Sequence, residues 1–344
     1  MFKRWQFWLG LIISAVFLYI ALQKVNLQEI WNVIKAANFW WLIPSIAVYF
    51  IGVWARAWRW RYLLRPIKEI PTSRLFPTVC IGYMGNNIYP IRAGELLRAY
   101  VLKKDENVAI SASLATIIVE RIFDGVVMLG FIFMNLNELS TLTSTSGFIS
   151  NFSIRSIAIW GAVFFLGALV IFLLAAMFPL RAENVVIWGI NYLIPKRWRE
   201  KMAAIMVHFL TGLESLRTPK DALLVLSTSI VVWLLETGKY WFLMHAFPFT
   251  VSFFALMLMN GIANLVTTIP SAPGYVGTFE AAGTAVLKAF GIEAAIAVAY
   301  TLALHAALWL PITLLGAYYF LRKGLSWTGS VGDAKAAQDQ PAIS

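Results

Sequence analysis

The sequence predicts an all-α, polytopic membrane protein, on the strength of its composition and of the length of its apolar runs. Of the 344 residues 60% are hydrophobic and only 13% are charged, whereas about a quarter of the residues in a soluble domain are charged. Several runs reach the roughly 20 apolar residues that a helix needs to cross a bilayer core of about 30 Å. Because a helix satisfies its own backbone hydrogen bonds in lipid, these runs predict membrane-spanning helices.

Six runs have the length and composition of full transmembrane helices. They are residues 7–24, 40–60, 112–136, 155–178, 222–245 and 295–321. We interpret the first as an uncleaved span, since no small-residue cleavage site follows it. Residues 185–216 are too polar to span the membrane and are amphipathic, which predicts a helical segment on the cytoplasmic surface.

The basic residues set the orientation of these spans. The net charge is +11, and in membrane proteins Lys and Arg concentrate in cytoplasmic loops, so the excess indicates topology rather than nucleic-acid binding. With both termini cytoplasmic the basic loops fall on one side, and the loop 137–153, which has no Lys or Arg, lies outside. We therefore predict one integral membrane domain over 1–326 and a disordered cytoplasmic tail over 327–344.

The end of the second run alternates tryptophan with arginine. The tryptophans are Trp54, Trp58 and Trp60, and the arginines are Arg56, Arg59 and Arg61. This mixture is typical of an interfacial belt, in which the rings sit at the level of the headgroups. The pattern predicts that these residues lie at the cytoplasmic interface of the membrane.

Two further apolar segments cannot cross the membrane if the orientation above holds. Residues 75–104 begin and end on the cytoplasmic side, and residues 253–291 begin and end on the outer side. The sequence therefore predicts two oppositely oriented re-entrant helical hairpins, the inverted-repeat arrangement of many transporters. The tips carry proline and glycine at a fixed offset, since 180 residues separate Pro90 from Pro270 and also Gly94 from Gly274. That offset favours an internal duplication.

The first tip has the features of an anion site. Pro90 cannot continue a preceding helix, and Gly94 permits a tight turn into a helix that begins near Glu95. Free backbone N–H groups at that start, with Arg92 and Arg98 close by, suit a phosphate-bearing headgroup. Glu95 is spaced to pair with Arg98 on the same helix. The nearby Asn87 is interpreted either as a helix cap or as a ligand contact.

The second tip lacks a basic residue before its one carboxylate. Pro273, Gly274 and Gly277 would supply backbone amides, and Glu280 would supply the carboxylate. This tip therefore predicts a site of backbone donors rather than of cationic side chains.

A third polar group lies inside a predicted span. Glu120 and Asp124 share a helix face, with Arg121 beside Asp124. Burying three charges in a span is costly, so partners from the hairpins are expected. Either a structural salt-bridge lock or a ligand contact accounts for this group.

Two other ionisable features have structural interpretations. Glu236 is expected to pair with Lys239, whose ammonium would snorkel outward. His305 is interpreted as a packing residue rather than a proton relay. The single Cys80 and three scattered histidines have no metal-ligand spacing, and there is no ATP-binding motif, so neither a metal nor a cofactor is predicted.

The tip and span motifs, taken in order, resemble the lysylphosphatidylglycerol synthase transmembrane region family, also described as flippase-like integral membrane proteins. The motifs are Asn87-x-x-Pro90-x-Arg92-x-Gly94-Glu95-x-x-Arg98, Glu120-Arg121-x-x-Asp124 and Pro270-x-x-Pro273-Gly274-x-x-Gly277-x-x-Glu280. The resemblance covers about residues 7–322. It implies movement between leaflets of lipids such as phospholipids, polyprenyl lipids or hopanoids, in a bacterial or archaeal inner (plasma) membrane. Because the chain ends soon after Arg322, the synthases' soluble aminoacyl-transfer domain and activity are not expected.

These observations lead to one functional hypothesis and two alternatives. The hypothesis is a lipid translocase, not an enzyme, that binds an anionic headgroup in a mid-membrane cavity between the hairpins. Its predicted substrate-binding residues are Asn87, Arg92, Gly94, Glu95, Arg98, Glu120, Arg121, Asp124, Pro273, Gly274, Gly277 and Glu280. The alternatives are a membrane-embedded lipid-modifying transferase with Glu95 or Asp124 as base, and a non-transporting subunit of a lipid or cell-envelope synthesis complex.

Overall fold

The computed structural model describes residues 5–22, 25–89, 93–135, 154–267 and 272–325. Over these ranges the chain forms thirteen α-helices and no strand. The helices are α1 Trp5–Leu22, α2 Leu27–Ala36, α3 Leu42–Leu64, α4 Thr72–Ile88, α5 Ala93–Glu106, α6 Ile110–Met134, α7 Ile154–Met177, α8 Pro179–Leu193, α9 Lys196–Leu213, α10 Pro219–Met244, α11 Phe253–Val266, α12 Thr278–Ala289 and α13 Ala294–Arg322. Single 3-10 turns lie at Phe39–Trp41, Glu214–Leu216 and Pro273–Tyr275.

The helix lengths and surfaces fit a polytopic membrane protein. Three helical segments, Phe39–Leu64, Pro219–Met244 and Ala294–Arg322, are long and apolar enough to cross a membrane, and the pair α7 and α8, bent by 111°, could form a fourth span. Large apolar side chains such as Trp160 and Leu180 are exposed, as expected of a surface that faces lipid. The all-α class is confirmed, whereas six full spans remain a prediction.

Both interrupted segments fold as two helices rather than one. Their halves are α4 and α5 in the first segment, and α11 and α12 in the second. Residues 90–92 and 268–271, and with them Pro90, Arg92 and Pro270, lie outside the described residues. At the second break Gly274 and Gly277 have φ angles of 73° and 88°, the left-handed region that favours glycine.

Gly94 serves a different purpose from the turn that the sequence predicts. It lies within the helical backbone of α5, which begins at Ala93. A methyl group on Gly94 would lie 2.0 Å from the carbonyl oxygen of Gly82 and 2.4 Å from the amide nitrogen of Asn86. Glycine is needed there because α4 and α5 pack with their backbones almost in contact.

The helices α3 to α6 recur as α10 to α13. A shift of about 180 residues carries Leu42–Leu64 into α10 and Thr72–Ile88 onto the region of α11. The packing follows the same symmetry, since α3 packs on α10, α4 on α13 and α6 on α11. The paired residues Arg56 and Glu236 are themselves 180 residues apart. The duplication predicted from proline and glycine alone is therefore matched by the order and packing of the helices.

The equivalent helices α3 and α10 run antiparallel. Near the start of α3, Ser45 donates a hydrogen bond of 2.8 Å to the carbonyl of Lys239, near the end of α10. Towards the end of α3, Arg59 donates one of 2.7 Å to Ser229, a full ten residues earlier on α10. The two halves are thus related by a reversal of direction, which places polar residues of both at one central contact.

Candidate functional site

Nine charged side chains from four helices meet at this central contact. They are Arg56 and Arg59 of α3, Glu95 and Arg98 of α5, Glu120, Arg121 and Asp124 of α6, and Glu236 and Lys239 of α10. Five are cationic and four anionic, so the ionised cluster carries one excess positive charge. Because isolated charges are very costly inside apolar helices, the cluster must be held together by its own pairs.

Asp124 is the centre of the network. Its carboxylate accepts hydrogen bonds from Arg59 Nη1 at 2.6 Å and from Trp233 Nε1 at 3.0 Å. Arg121 Nη2 lies 3.2 Å away and Arg56 Nη1 lies 3.6 Å away. Four donor groups from three helices therefore share one buried carboxylate, which joins α3, α6 and α10.

Arg98 binds Glu120 and not Glu95, so the pairing predicted from the sequence is wrong. Two hydrogen bonds, at 2.7 and 3.3 Å, join its guanidinium to the Glu120 carboxylate. The guanidinium also lies 3.5 Å above the ring of Trp60. Glu95 is 29% exposed and lies 3.8 Å from Arg121 instead. The buried carboxylate attracts Arg98 more strongly because water does not screen it.

Glu236 pairs with Lys239 as predicted, but the lysine does not snorkel outward. The side chain of Lys239 is 4% exposed, and its ammonium contacts the Glu236 carboxylate and lies 4.3 Å above the ring of Tyr49. Arg56 binds the other oxygen of Glu236 at 3.1 Å. With a carboxylate and an aromatic face available inside the protein, the ammonium has no need to reach the interface.

A cavity of about 50 Å³ adjoins the network. It is lined by Arg56, Arg59, Val79, Gly82, Tyr83, Asn86, Gly94, Glu95, Arg98, Glu120 and Arg121. A water molecule needs about 10–15 Å³ of cavity volume measured in this way. The cavity is therefore large enough for a few waters or one small polyatomic group. All of its lining residues come from α3, α4, α5 and α6.

The cavity has more hydrogen-bond donors than the protein satisfies. The Nε atoms of Arg56, Arg59, Arg98 and Arg121 are all buried without a hydrogen-bond acceptor among the described residues. Two of these atoms lie just beyond hydrogen-bond distance of a carboxylate, since Arg59 Nε is 3.6 Å from Glu120 and Arg121 Nε is 3.8 Å from Glu95. Buried polar groups are usually satisfied, so the unpaired donors, above all those of Arg56 and Arg98, favour an acceptor that is not part of the protein. An oxyanion supplies such acceptors, and guanidinium groups are well shaped to bind it.

The structure brings together about half of the predicted site residues. Gly94, Glu95, Arg98, Glu120 and Arg121 line the cavity. Asp124 lies in the adjoining network, and Arg92 lies outside the described residues.

Asn87 does not line the cavity, because its side-chain amide binds α13. It donates to Thr313 Oγ1 at 2.8 Å and to the carbonyl of Trp309 at 3.4 Å. The structure therefore supports a helix-joining role for Asn87.

The second tip also lies away from the cavity, so the expectation that both hairpins enclose one site is not met by the described residues. Pro273, Gly274, Gly277 and Glu280 are absent from the cavity lining. The tips do approach each other, since a methyl group on Gly274 would lie 3.3 Å from the carbonyl oxygen of Asn87. Glu280 accepts a hydrogen bond from the Gly277 amide at 2.7 Å and so holds its own tip in shape.

Arg56 and Arg59 are the functional residues that the sequence interpretation missed. They are predicted to lie in an interfacial belt, but in the structure they are 6% and 0% exposed. Two signals were available. The spacing of the two arginines puts both on one face of an apolar helix, and 180 residues separate Arg56 from Glu236, the same offset as between the two tips. Arginine next to tryptophan gives the same local sequence pattern at a membrane interface and in a buried ion network, so this pattern does not distinguish the two.

The base of the first hairpin is held by a separate ionic contact. Glu106, at the end of α5, binds Lys68 at 2.8 Å and Arg74 at 3.3 Å. Burial raises the pKa of Glu106, but the hydrogen bonds and charges of Lys68 and Arg74 outweigh this effect and lower the pKa below its ordinary value. The contact fixes α5 to the start of α4 and so supports the cavity between them.

A second cavity is lined almost wholly by hydrocarbon. It has a volume of about 320 Å³ and lies between α6, α7 and α10, with a lining of Phe123, Leu169, Leu173, Met177, Leu216, Pro219, Ala222, Leu223 and Leu226. The lining contains no charged side chain, so this space suits an apolar chain and not a headgroup.

Comparison with known proteins identifies the family. The profile of the family described as "Lysylphosphatidylglycerol synthase TM region" matches residues 7–316. The chain belongs to this family. The match spans both broken segments and all four helices of the ionic network, as the motif resemblance implies.

The relatives are archaeal membrane proteins and one glycosyltransferase. The chain is 26% identical to the glycosyltransferase AglD of Haloferax volcanii, over 96% of this chain and 56% of that protein. It is 24% identical to a UPF0104 membrane protein of Pyrococcus horikoshii, over 92% of this chain and 96% of the relative. A UPF0104 membrane protein of Methanocaldococcus jannaschii is 26% identical over 68% of this chain and 92% of the relative. No solved structure matches the chain.

Proposed function

We propose that this protein binds the anionic headgroup of a membrane lipid in the arginine-lined cavity and moves that lipid between leaflets without modifying it. One observation carries the proposal: four arginines line the same cavity, and the Nε atom of each is buried without a hydrogen-bond acceptor among the described residues. A phosphate group offers several acceptor oxygens and complements the excess positive charge of the cluster. The substrate would be a phospholipid or a phosphate-bearing polyprenyl or hopanoid-type lipid.

Access to the cavity is provided by the least buried members of the network. The side chains of Arg121 and Glu95 are 36% and 29% exposed, whereas Arg59 and Glu120 are fully buried. We infer that Arg121 meets the headgroup first, with Arg98 and Arg56 behind it. The more deeply buried pairs would then serve as the scaffold that holds these guanidinium groups in place.

The geometry offers little to the transferase alternative. Asp124 already accepts three hydrogen bonds and makes two further ion pairs, so it has no free lone pair with which to act as a base. Glu95 lies on the cavity, where the described lining residues include one hydroxyl, that of Tyr83, and no serine, threonine, cysteine, lysine or histidine. The name of AglD describes a protein of which this chain covers 56%. We therefore propose a non-enzymatic role.

The proposal includes an inverted topology in a plasma membrane, with both termini cytoplasmic and both broken segments re-entrant. It is supported by the antiparallel packing of α3 on α10 and by the crossed packing of α4 on α13 and α6 on α11. Equivalent helices that run in opposite directions are expected when the symmetry axis lies in the membrane plane.

Cysteine labelling tests this topology. A cysteine placed at Thr143, in a variant lacking Cys80, is expected to react with an impermeant maleimide added outside intact cells, because the loop 137–153 is predicted to be external. A cysteine at Lys196 serves as the cytoplasmic control and should react only after the cells are opened. Protection of Thr143→Cys in intact cells, with labelling after lysis, would contradict the proposed orientation.

Reconstitution tests the function itself. The purified protein, placed in phosphatidylcholine vesicles with a fluorescent phosphatidylglycerol tracer, is expected to make inner-leaflet tracer accessible to external dithionite. Protein-free vesicles should not do so, and mass spectrometry should recover the tracer unchanged. A chemically modified tracer would favour the transferase, whereas a binding-competent protein that moves no lipid would favour the partner-subunit alternative.

A further inference from the structure

The second tip is closed by a histidine whose two ring nitrogens both face acceptors. His305, near the middle of α13, places Nδ1 against the carboxylate oxygen Oε1 of Glu280 and Nε2 2.8 Å from the carbonyl oxygen of Gly274. The other carboxylate oxygen of Glu280 accepts from the Gly277 amide at 2.7 Å. The histidine therefore ties α13 to the tip through one side-chain contact and one backbone contact.

This arrangement has a fixed requirement for protons. A neutral imidazole carries one N–H, so it can donate to Glu280 or to Gly274 but not to both. Both contacts are hydrogen bonds only if the pair holds one additional proton, either as imidazolium with carboxylate or as imidazole with carboxylic acid. Loss of that proton to water changes no other bond, but it leaves two lone pairs facing each other at one of the two contacts.

The corresponding contact in the first half lacks this sensitivity. There, α5 and α6 are joined by Arg98 and Glu120, just as α12 and α13 are joined by Glu280 and His305. Arginine remains charged throughout the physiological range, whereas histidine is the residue type that changes charge between about pH 5 and 8. The two halves thus use equivalent helices with a permanent lock in one and a titratable lock in the other.

The position of the pair allows a proton to reach it, and loss of that proton would weaken contacts that hold the second tip. The side chains of His305 and Glu280 are 12% and 5% exposed, so the site is mostly buried but not sealed. Other contacts at the tip include a hydrogen bond of 2.8 Å from the Ala272 amide to Ser14 of α1. Gly274 in turn lies against Trp309 and the carbonyl of Asn87 at the first tip.

Other charged and titratable groups on the packed helices do not replace either partner. In the described residues α1 and α11 contain no acidic or basic side chain. Elsewhere, Arg74 pairs with Glu106, Glu236 with Lys239, and the Tyr300 hydroxyl with the Tyr240 carbonyl. The remaining such groups on these helices are Tyr275 on the tip, Tyr19 on α1, Cys80 and Tyr83 on α4, Lys288 on α12, Glu29 and Lys35 on α2, Tyr49, Arg56, Arg59, Arg61 and Tyr62 on α3, Lys220, Asp221 and His245 on α10, and Tyr318, Tyr319 and Arg322 on α13.

We propose that Glu280 and His305 form a proton-binding site that locks the second tip, and that proton loss there releases the tip during lipid movement. The locking is independent of the substrate, whereas the coupling to lipid movement rests on the function proposed above. Through this site the proton gradient across the membrane would drive lipid movement in a chain whose sequence contains no ATP-binding motif.

Amide hydrogen exchange tests the lock in the purified protein. Between pH 5.5 and 8.5, after division by the intrinsic rate at each pH, the wild-type segment 272–284 is expected to lose about tenfold in protection as the pH rises. Glu280→Gln satisfies both contacts without an added proton, since its amide N–H₂ can donate to Nδ1 while Nε2–H donates to Gly274, and it should abolish this pH dependence. His208→Gln, the matched histidine control on α9, should retain it. Wild-type protection that is constant with pH would overturn the proposal, and this measurement stands even if His305→Gln fails to fold.

A proton gradient tests the coupling. In the reconstituted vesicles the wild-type rate of tracer movement is expected to depend on an imposed pH difference, and the Glu280→Gln rate is expected not to. Equal wild-type rates with and without the gradient would overturn the coupling and leave translocation standing. If no tracer moves under any condition, translocation and coupling both fail, while the exchange experiment still decides whether the pair binds a proton.

Discussion

Replacing Asp124 with asparagine is expected to cause the largest loss of stability of any single change in the network. The substitution removes the charge that Arg59, Arg56 and Arg121 share, and it presents an amide N–H₂ to donors. Removing one partner from a buried ion pair costs about 3–5 kcal/mol, because the other charge stays buried without compensation. The measurement is thermal unfolding in detergent, followed by light scattering or by tryptophan fluorescence.

An exposed ion pair provides the matched control for this experiment. Arg65 and Glu69 lie 3.6 Å apart with side chains that are 67% and 79% exposed. Glu69→Gln should therefore shift the unfolding temperature little, since exposed pairs contribute about 0–1 kcal/mol. An Asp124→Asn protein as stable as Glu69→Gln would show that the cluster is not the lock that joins α3, α6 and α10.

Replacing Arg121 with alanine is expected to cause the largest loss of lipid binding without unfolding the protein. Arg121 lines the cavity, is partly exposed, and has an Nε without an acceptor. Asp124 keeps Arg59, Arg56 and Trp233 when Arg121 is removed. A hydrogen bond to a charged group contributes about 1.5–3 kcal/mol, so affinity for phosphatidylglycerol should fall about 10- to 150-fold. Titration of the detergent-purified protein by native mass spectrometry measures the change.

Three further variants distinguish anion binding from a general loss of charge. Arg121→Lys should restore part of the affinity, because lysine keeps the charge but loses the bidentate geometry. Glu95→Gln should raise the affinity, since it removes a negative charge from the cavity wall. Arg61→Ala, at an exposed position on α3, should bind like the wild type. Equal affinity of Arg121→Ala and wild type would remove the cavity from consideration as the headgroup site.

Arg98 is less suited to this test than the sequence suggests. The motif alone predicts that Arg98→Ala keeps its fold while losing lipid. In the structure Arg98 is bound twice by Glu120 and stacked on Trp60. Its removal leaves a buried carboxylate whose remaining ion pair, in the part of the chain that the structure describes, is with Arg59 at 3.6 Å. Loss of stability and loss of binding are therefore expected together.

The sequence by itself determined the features that depend on short-range composition. Long apolar runs require helices in lipid, and proline with glycine interrupts them, so the all-α class and the division of both segments into two helices were predictable. The spacing of Glu120, Arg121 and Asp124 likewise places three charges on one helix without knowledge of the fold. The motifs that contain these residues also identified the family.

Only the tertiary structure decided which charges meet. Arg59 contacts Asp124 across 65 residues and Arg56 contacts Glu236 across 180, and no local pattern distinguishes such arginines from those of an interfacial belt. Contacts between distant helices also decide three other features: the partner of Arg98, the burial of Lys239 and the separation of the second tip from the cavity. In a medium that does not screen charge, an ionic side chain takes the partner that packing brings nearest, and packing is set by helices far apart in the chain.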